Sequence, residues 1–192
     1  MKPVELVIIG GSAGSLPVIL TILSNLNPQL NFPIIIILHR KNTYDNTLTL
    51  LLSQKTTLPV KEVEDKDPLV PGTIYIAPAD YHLLVEQDKT LSLDYSERIN
   101  YSRPSIDATF ETAALTYQDK LLAILLSGAN ADGTEGLKFV LDHEGTAIAQ
   151  DPSTAEVPFM PTNAISKLPI NYILSPIEIC SAINELISKE KQ

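Results

Sequence analysis

Three polar residues far apart in the chain, Ser12, His39 and Asp132, each follow an aliphatic run, in "VIIGGSAGS", "IIIILHRK" and "LLAILLSGANADGTEG". A serine hydroxyl becomes a competent nucleophile at neutral pH only when a base takes its proton. An imidazole does this best when a carboxylate fixes its tautomer and stabilises the imidazolium. Serine, histidine and aspartate supply those roles. Gly10, Gly11 and Gly14 around Ser12 allow a sharp turn that exposes the side chain at a helix N-terminus and leaves backbone N–H groups to face an oxyanion. That is the physics of a nucleophile elbow on a motif other than Gly-x-Ser-x-Gly.

The same loop has other uses, because a glycine-serine turn after a first strand also binds phosphate or caps a helix. A dinucleotide fingerprint asks for G-x-G-x-x-G and then a carboxylate at the end of the second strand to hold the ribose. Here the glycines read G-G-x-x-G, and the second strand ends in His39 and Arg40. Arg40 would suit the extra phosphate of an NADP-type nucleotide, but that reading leaves His39 and Asp132 without work. A nucleotide-binding α/β protein is therefore the alternative, with a catalytically silent interaction module as a third reading.

For the three residues to meet, the runs before them must be parallel strands ending on one edge, where open α/β sheets bind their ligands. The chain has that rhythm. Short Val- and Ile-rich runs alternate with segments of helical period, predicting a doubly wound, mostly parallel sheet with helices on both faces. Strands are expected at Val4–Ile9, Pro33–Leu38 and Val60–Val63, with helices at about Leu16–Leu26 and Thr47–Gln54. "GTIYIAP", "YHLLVEQ" and "TLSLDY" alternate in polarity and read as an antiparallel hairpin or meander at one edge. "SIDATFETAALTY" is helical with Ser105 as N-cap, "LLAILLSG" a buried strand, "TEGLKFVLDH" a helix, and "TAIAQ" and "NYILS" strands. Pro176 suits the first turn of a closing helix.

The 192 residues read as one domain, 1–192. The net charge of −9 and the lack of a basic run argue against nucleic acid. "FPIIIIL" is far short of a membrane span, and the N-terminus is a poor signal peptide. Cys180, the single cysteine, cannot form an internal disulfide, which leaves the cytoplasm as the default location. There is no histidine-cysteine cluster, so no metal site is expected. His82 reads as surface or packing, His143 as a partner of a helix C-terminus, and Cys180 as a core residue.

Over nearly its whole length the chain resembles the catalytic domain of the chemotaxis-receptor protein-glutamate methylesterases. The motifs, in order, are "VIIGGSAGS", "IIIILHRK", "VPGTIYIAPADYHLLVE", "RPSIDATFETAA", "LLSGANADGTEG" and "AIAQDPSTAEVPFMPTNAI". The resemblance implies hydrolysis of glutamate γ-methyl esters on the cytoplasmic helices of methyl-accepting receptors, releasing methanol, with deamidation of receptor glutamines in many members. It makes Ser12 the nucleophile, His39 the base and Asp132 its carboxylate partner. The backbone N–H groups of Ala13 and Ala129 are the candidates for the oxyanion hole, and no cofactor is implied.

Three departures stand out. The family's Ser-Thr-Gly-Gly elbow is Ser12-Ala13-Gly14-Ser15 here, and its Gly-Met-Gly-x-Asp-Gly is Gly128-Ala129-Asn130-Ala131-Asp132-Gly133. Members usually carry an N-terminal receiver domain, whereas this chain enters its first strand by residue 4; no receiver domain is expected, and a separate regulatory protein would take its place. Acidic receptor helices would be repelled by a net charge of −9 unless the active edge is locally basic. Arg40, Lys41, Arg98 and Arg103 are the expected cationic rim, with Arg40 and Arg103 as substrate contacts.

Overall fold

The computed structural model describes residues 3–40 and 46–189, with side chains described to residue 186. Seven parallel strands form one sheet in the order β3-β4-β2-β1-β7-β8-β9. They are β1 (Leu6–Gly11), β2 (Ile34–Leu38), β3 (Val60–Glu62), β4 (Ile74–Ile76), β7 (Leu121–Leu125), β8 (Thr146–Gln150) and β9 (Tyr172–Leu174). Helices α1 (Leu16–Ser24), α2 (Thr47–Ser53), α3 (Ile106–Tyr117), α4 (Thr134–Asp142), α5 (Phe159–Lys167) and α6 (Pro176–Lys189) cover its faces. β5 (His82–Val85) and β6 (Leu91–Asp94) form a separate antiparallel hairpin.

The central strands are aliphatic throughout because both of their faces are buried. Val7, Ile9, Ile36 and Ile124 pack toward Ile19 and Ile22 of α1 and Ile183 of α6. Leu6, Ile8, Ile35 and Leu125 pack the opposite way, against Phe110 of α3, Leu137 of α4 and Leu83 of the hairpin. Each fully buried side chain of this size is worth about 1.5–3 kcal/mol, so the middle of the sheet is the rigid part of the molecule.

Two details differ from the sequence reading. β1 runs on through Gly10 and Gly11, which pair with Ile37 and Leu38 on one side, while Gly10 pairs with Leu125 on the other. The glycines therefore finish the strand, and the turn starts at Ser12. "GTIYIAP" does not belong to the meander: Ile74–Ile76 is a parallel interior strand between β3 and β2. Tyr75 made it look alternating, yet its ring is buried and its hydroxyl donates to the Pro68 carbonyl and accepts from the Val70 amide. Among the described strands only β5 and β6 pair antiparallel, and β5 lies on α3. No helix among the described residues is long and apolar enough to cross a membrane.

Candidate active site

From β1 the chain builds outward through β2, then returns to place β7 on the other side of β1. The carboxyl ends of β1 and β7 thus flank the point where the topology reverses, the usual crevice of an open α/β sheet. Ser12 stands at the first of these ends. Its N–H donates to the Ser127 carbonyl just past β7 (2.9 Å), and the His39 N–H donates to the Gly11 carbonyl (3.2 Å). Ser12 and His39 therefore follow the Gly11–Leu38 pair on adjacent parallel strands, whose spacing is about 4.8 Å.

The turn after Ser12 is clamped from beneath. Ser15 is fully buried, and both its N–H (3.1 Å) and its hydroxyl (2.6 Å) donate to the Ser12 carbonyl. The serine that departs from the family elbow thus closes the turn. Gly14 has φ +77, and a Cβ there would lie 2.6 Å from the Glu156 Cβ and 2.8 Å from the Ser127 Oγ. Ser127 is itself buried; its hydroxyl donates to the Ala13 carbonyl (2.7 Å) and accepts from the Val157 N–H (2.9 Å). The Gln150 side chain at the end of β8 accepts from the Ser127 N–H (3.0 Å). Among the described residues, the N–H groups of Ala13 and Ala129 have no acceptor.

His39 and Asp132 meet. The imidazole Nε2 lies 2.7 Å from Asp132 Oδ2, with 12 % of the His39 side chain exposed and none of Asp132. Asp132 takes three more donors: the Ile106 N–H on Oδ2 (2.8 Å), and the Ser105 hydroxyl (2.9 Å) and Asp107 N–H (3.1 Å) on Oδ1. Those amides are the first of α3, so the positive end of the helix also faces the carboxylate. Burial works to raise the Asp132 carboxyl, but the imidazole and the Ile106 and Asp107 amides outweigh it and hold it below the ordinary carboxylate value. Ser105 serves as the expected N-cap, accepting from the Ala108 N–H, and orients Asp132 as well.

Because the carboxylate holds Nε2–H, Nδ1 is the basic nitrogen of His39. The hydroxyl within hydrogen-bond distance of it is Ser102 Oγ (3.3 Å), which accepts from Asn130 Nδ2 (3.1 Å); Asn130 Oδ1 in turn accepts from the Asp132 N–H (3.2 Å). Sequence reasoning passed over Ser102 and Asn130. Asn130 stands in the same loop after β7 as Asp132 with nothing to mark its role, whereas only folding of the 95–103 segment across the edge brings Ser102 in.

Asp107 is the other residue missed. Its Oδ1 accepts from the Gly133 (2.8 Å) and Gly136 (2.7 Å) amides of the α4 N-terminus, and its Oδ2 from Asn100 Nδ2 (2.8 Å). An acidic residue in the first turn of α3 was the available signal. Burial pushes this carboxyl up to about 7, the Asp132 carboxylate adds to that, and the Gly136 and Gly133 amides oppose it. A carboxyl raised on folding contributes stability below its ordinary value of about 4 and loses it as pH rises to about 7. Asp107→Asn should therefore gain stability relative to wild type between pH 4 and pH 8, by a few kcal/mol at most. Urea midpoints of both proteins across that range check it; parallel profiles would contradict it.

Two members of the expected cationic rim, Arg40 and Arg103, are already engaged. Arg40 pairs with Glu62. Arg103 lies over the Tyr95 ring, 3.9 Å from its centre, and donates to the carbonyls of Tyr95 (3.1 Å) and Ser96 (2.7 Å). Arg98 is exposed, and Lys41 falls outside the described residues. His82 is buried, accepting from the Ser105 N–H at Nδ1 and donating from Nε2 to the Glu97 carbonyl, so it packs and does not lie at the surface. His143 Nδ1–H donates to the Phe139 carbonyl at the end of α4, and Cys180 is buried beside α1, as expected.

A family model described as CheB methylesterase matches residues 7–183. The chain belongs to the CheB methylesterase family. The CheB methylesterase catalytic domain of Thermotoga maritima, a crystal structure, superposes with TM-score 0.90 at 35 % identity, covering 95 % of this chain and 98 % of that one. A relative from Leptospira interrogans is 44 % identical over 171 residues, covering 89 % of each chain. The protein-glutamate methylesterase/protein-glutamine glutaminase of Thermotoga maritima is 34 % identical over 186 residues, or 95 % of this chain and 54 % of the relative. The chain thus spans about half the length of that relative. Of the three expected site residues the structure pairs His39 with Asp132 and sets Ser12 at the adjoining end of β1, with no hydrogen bond from the Ser12 hydroxyl to His39 among the described residues.

Proposed function

We propose that this chain is a serine esterase that hydrolyses glutamate γ-methyl esters on the cytoplasmic helices of methyl-accepting chemotaxis receptors, releasing methanol, and deamidates receptor glutamines by the same acyl chemistry. The observation that carries the reading is the 2.7 Å His39–Asp132 pair at the strand edge next to Ser12. It stabilises the imidazolium that must form when a serine gives up its proton.

In this mechanism Ser12 Oγ attacks the ester carbonyl while its proton passes to His39 Nδ1. The carbonyl oxygen takes the negative charge opposite the N–H groups of Ala13 and Ala129, where one lost donor typically costs about 3–4 kcal/mol. The His39 Nδ1–H then protonates the departing methoxide, leaving a glutamyl ester on Ser12. Water adds to that ester, giving its proton to Nδ1, and the second tetrahedral intermediate collapses to the receptor's glutamate side chain as Nδ1–H returns its proton to Ser12 Oγ, restoring the free enzyme. Asp132 stays ionised throughout, which its four donors favour.

Ser102 holds Nδ1 in the resting arrangement and must yield it before Ser12 can use it. A neutral hydrogen bond of this kind is worth about 0.5–1.5 kcal/mol. Ser102→Ala should therefore raise kcat, by about two- to ten-fold, with KM little changed; steady-state kinetics on a small γ-glutamyl methyl ester reads this, and a fall in kcat would assign Ser102 a supporting part in the chemistry. The function itself is tested by methanol release from a methylated chemoreceptor fragment. Release by the wild type at a rate well above background is the expected result; none from either the fragment or a small ester would overturn the esterase.

A further inference from the structure

Residues 99–102 form a tight two-residue hairpin turn. Ile99 N–H donates to the Ser102 carbonyl (3.2 Å) and Ser102 N–H to the Ile99 carbonyl (2.8 Å), so Asn100 and Tyr101 are the two central residues of a hairpin loop. Both have positive φ, +50 for Asn100 and +63 for Tyr101. Such loops favour Asn followed by Gly, because a Cβ in the left-handed region is strained. Here a tyrosine stands where glycine would be best, and 96 % of it is exposed. A bulky aromatic in that conformation costs about 1–3 kcal/mol and, with its ring in water, recovers nothing from folding.

The turn is nevertheless held firmly. Asn100 Nδ2 donates to the buried Asp107 carboxyl (2.8 Å), and Ser102 Oγ is shared between Asn130 and His39. On the upstream side, Arg103 clamps the Tyr95 ring, which leans on Tyr81 with centroids 5.5 Å apart. An exposed aromatic that gains nothing in the free protein, carried on a backbone turn held this firmly and one residue from a hydroxyl touching His39, has the character of a binding anchor. A tyrosine, with only two side-chain torsions, loses little conformational entropy on contact.

We propose that Tyr101 is the anchor by which the substrate helix docks, its ring packing on an apolar side chain of that helix about one to two turns from the reacting ester. The proposal rests on the esterase reading and adds to it what recognises the protein substrate as distinct from the ester group. Arg98, exposed three residues earlier on the same segment, would add charge complementarity to an acidic helix docked there. The anchor contributes to binding and not to bond breaking, because nothing places its ring at Ser12 or His39.

Tyr101→Gly removes the ring and relieves the strain, so the variant should fold at least as well as wild type; Tyr101→Phe keeps the ring. For a methylated receptor fragment, the glycine variant should show KM raised about ten-fold or more with kcat nearly unchanged, and the phenylalanine variant should behave like wild type. For a small γ-glutamyl methyl ester all three should be equal. A receptor KM for Tyr101→Gly within two-fold of wild type would overturn the docking role, as would parallel losses on both substrates, which would mean that the ring shapes the site. Wild type active on the small ester but inactive on the receptor fragment would instead overturn the receptor reading on which this one rests.

Discussion

Ser12→Ala is expected to lower turnover of a γ-glutamyl methyl ester by about 10⁶-fold, or about 8 kcal/mol of activation free energy, while leaving the fold intact. The size follows from the way a nucleophile, its base and the carboxylate act as one unit, so that losing the serine forfeits the whole covalent route. The intact fold follows from the structure: it is the Ser12 backbone, through its N–H to Ser127 and its carbonyl to Ser15, that holds the turn. A residual rate of about 10³–10⁴ over water should survive from binding and the oxyanion donors. Methanol release by the purified variant, with thermal unfolding alongside, checks both halves. Retention of more than a few per cent of activity would move the nucleophile elsewhere, and Ser102, the hydroxyl already beside Nδ1, would be the residue to test next.

Asp132→Asn should cost about 10⁴-fold in turnover and should also destabilise the protein. The catalytic loss has a specific origin. An amide in place of the carboxylate no longer requires the proton on His39 Nε2, so the imidazole is free to carry it on Nδ1 and present no base to Ser12. The stability loss is equally specific. Every group facing Asp132 is a donor: the Ile106 and Asp107 amides, the Ser105 hydroxyl and the imidazole N–H. Whichever way the asparagine is turned, its NH₂ faces a backbone N–H, that of Ile106 or of Asp107, which a carboxylate oxygen had accepted. In a fully buried position that leaves unpaired polar groups, each costing about 1–3 kcal/mol. Denaturant unfolding and steady-state kinetics on one preparation measure the two effects together. A variant of wild-type stability with near-normal kcat would remove Asp132 from the mechanism.

The two effects have a common cause in the α3 N-terminus. Ser105, Ile106 and Asp107 are successive residues, and each gives Asp132 one donor. The "SID" that caps a helix in the sequence is, in three dimensions, the socket of the carboxylate. Asp107 then reaches on to Gly133 and Gly136, so the α4 N-terminus is tied to the same place. Gly133, with φ +93, has no room for a Cβ beside Leu125 and Ile106, which fits a loop drawn tightly over this socket.

Much of this was readable in one dimension. Short Val- and Ile-rich runs alternating with helical segments fit parallel strands buried on both faces, which set their polar successors on a common edge. That ground is enough to single out Ser12, His39 and Asp132 as candidates; of the glycines near Ser12, Gly10 and Gly11 finish β1 and only Gly14, with φ +77, lies in the turn. What the linear order could not express was anything made by loops crossing the edge. The contact of Ser102 with Nδ1, the tie from Asn100 to Asp107 and the diversion of Arg103 onto Tyr95 all depend on where the 95–103 segment lies, which no periodicity encodes. Burial was the other gap: Tyr75 and His82 look polar in sequence, and only the packed structure supplies the partners that let a strand and a hairpin absorb them. Local pattern and solvent aversion set the frame and its reactive edge; long-range hydrogen bonds between loops chose the partners of each reactive group.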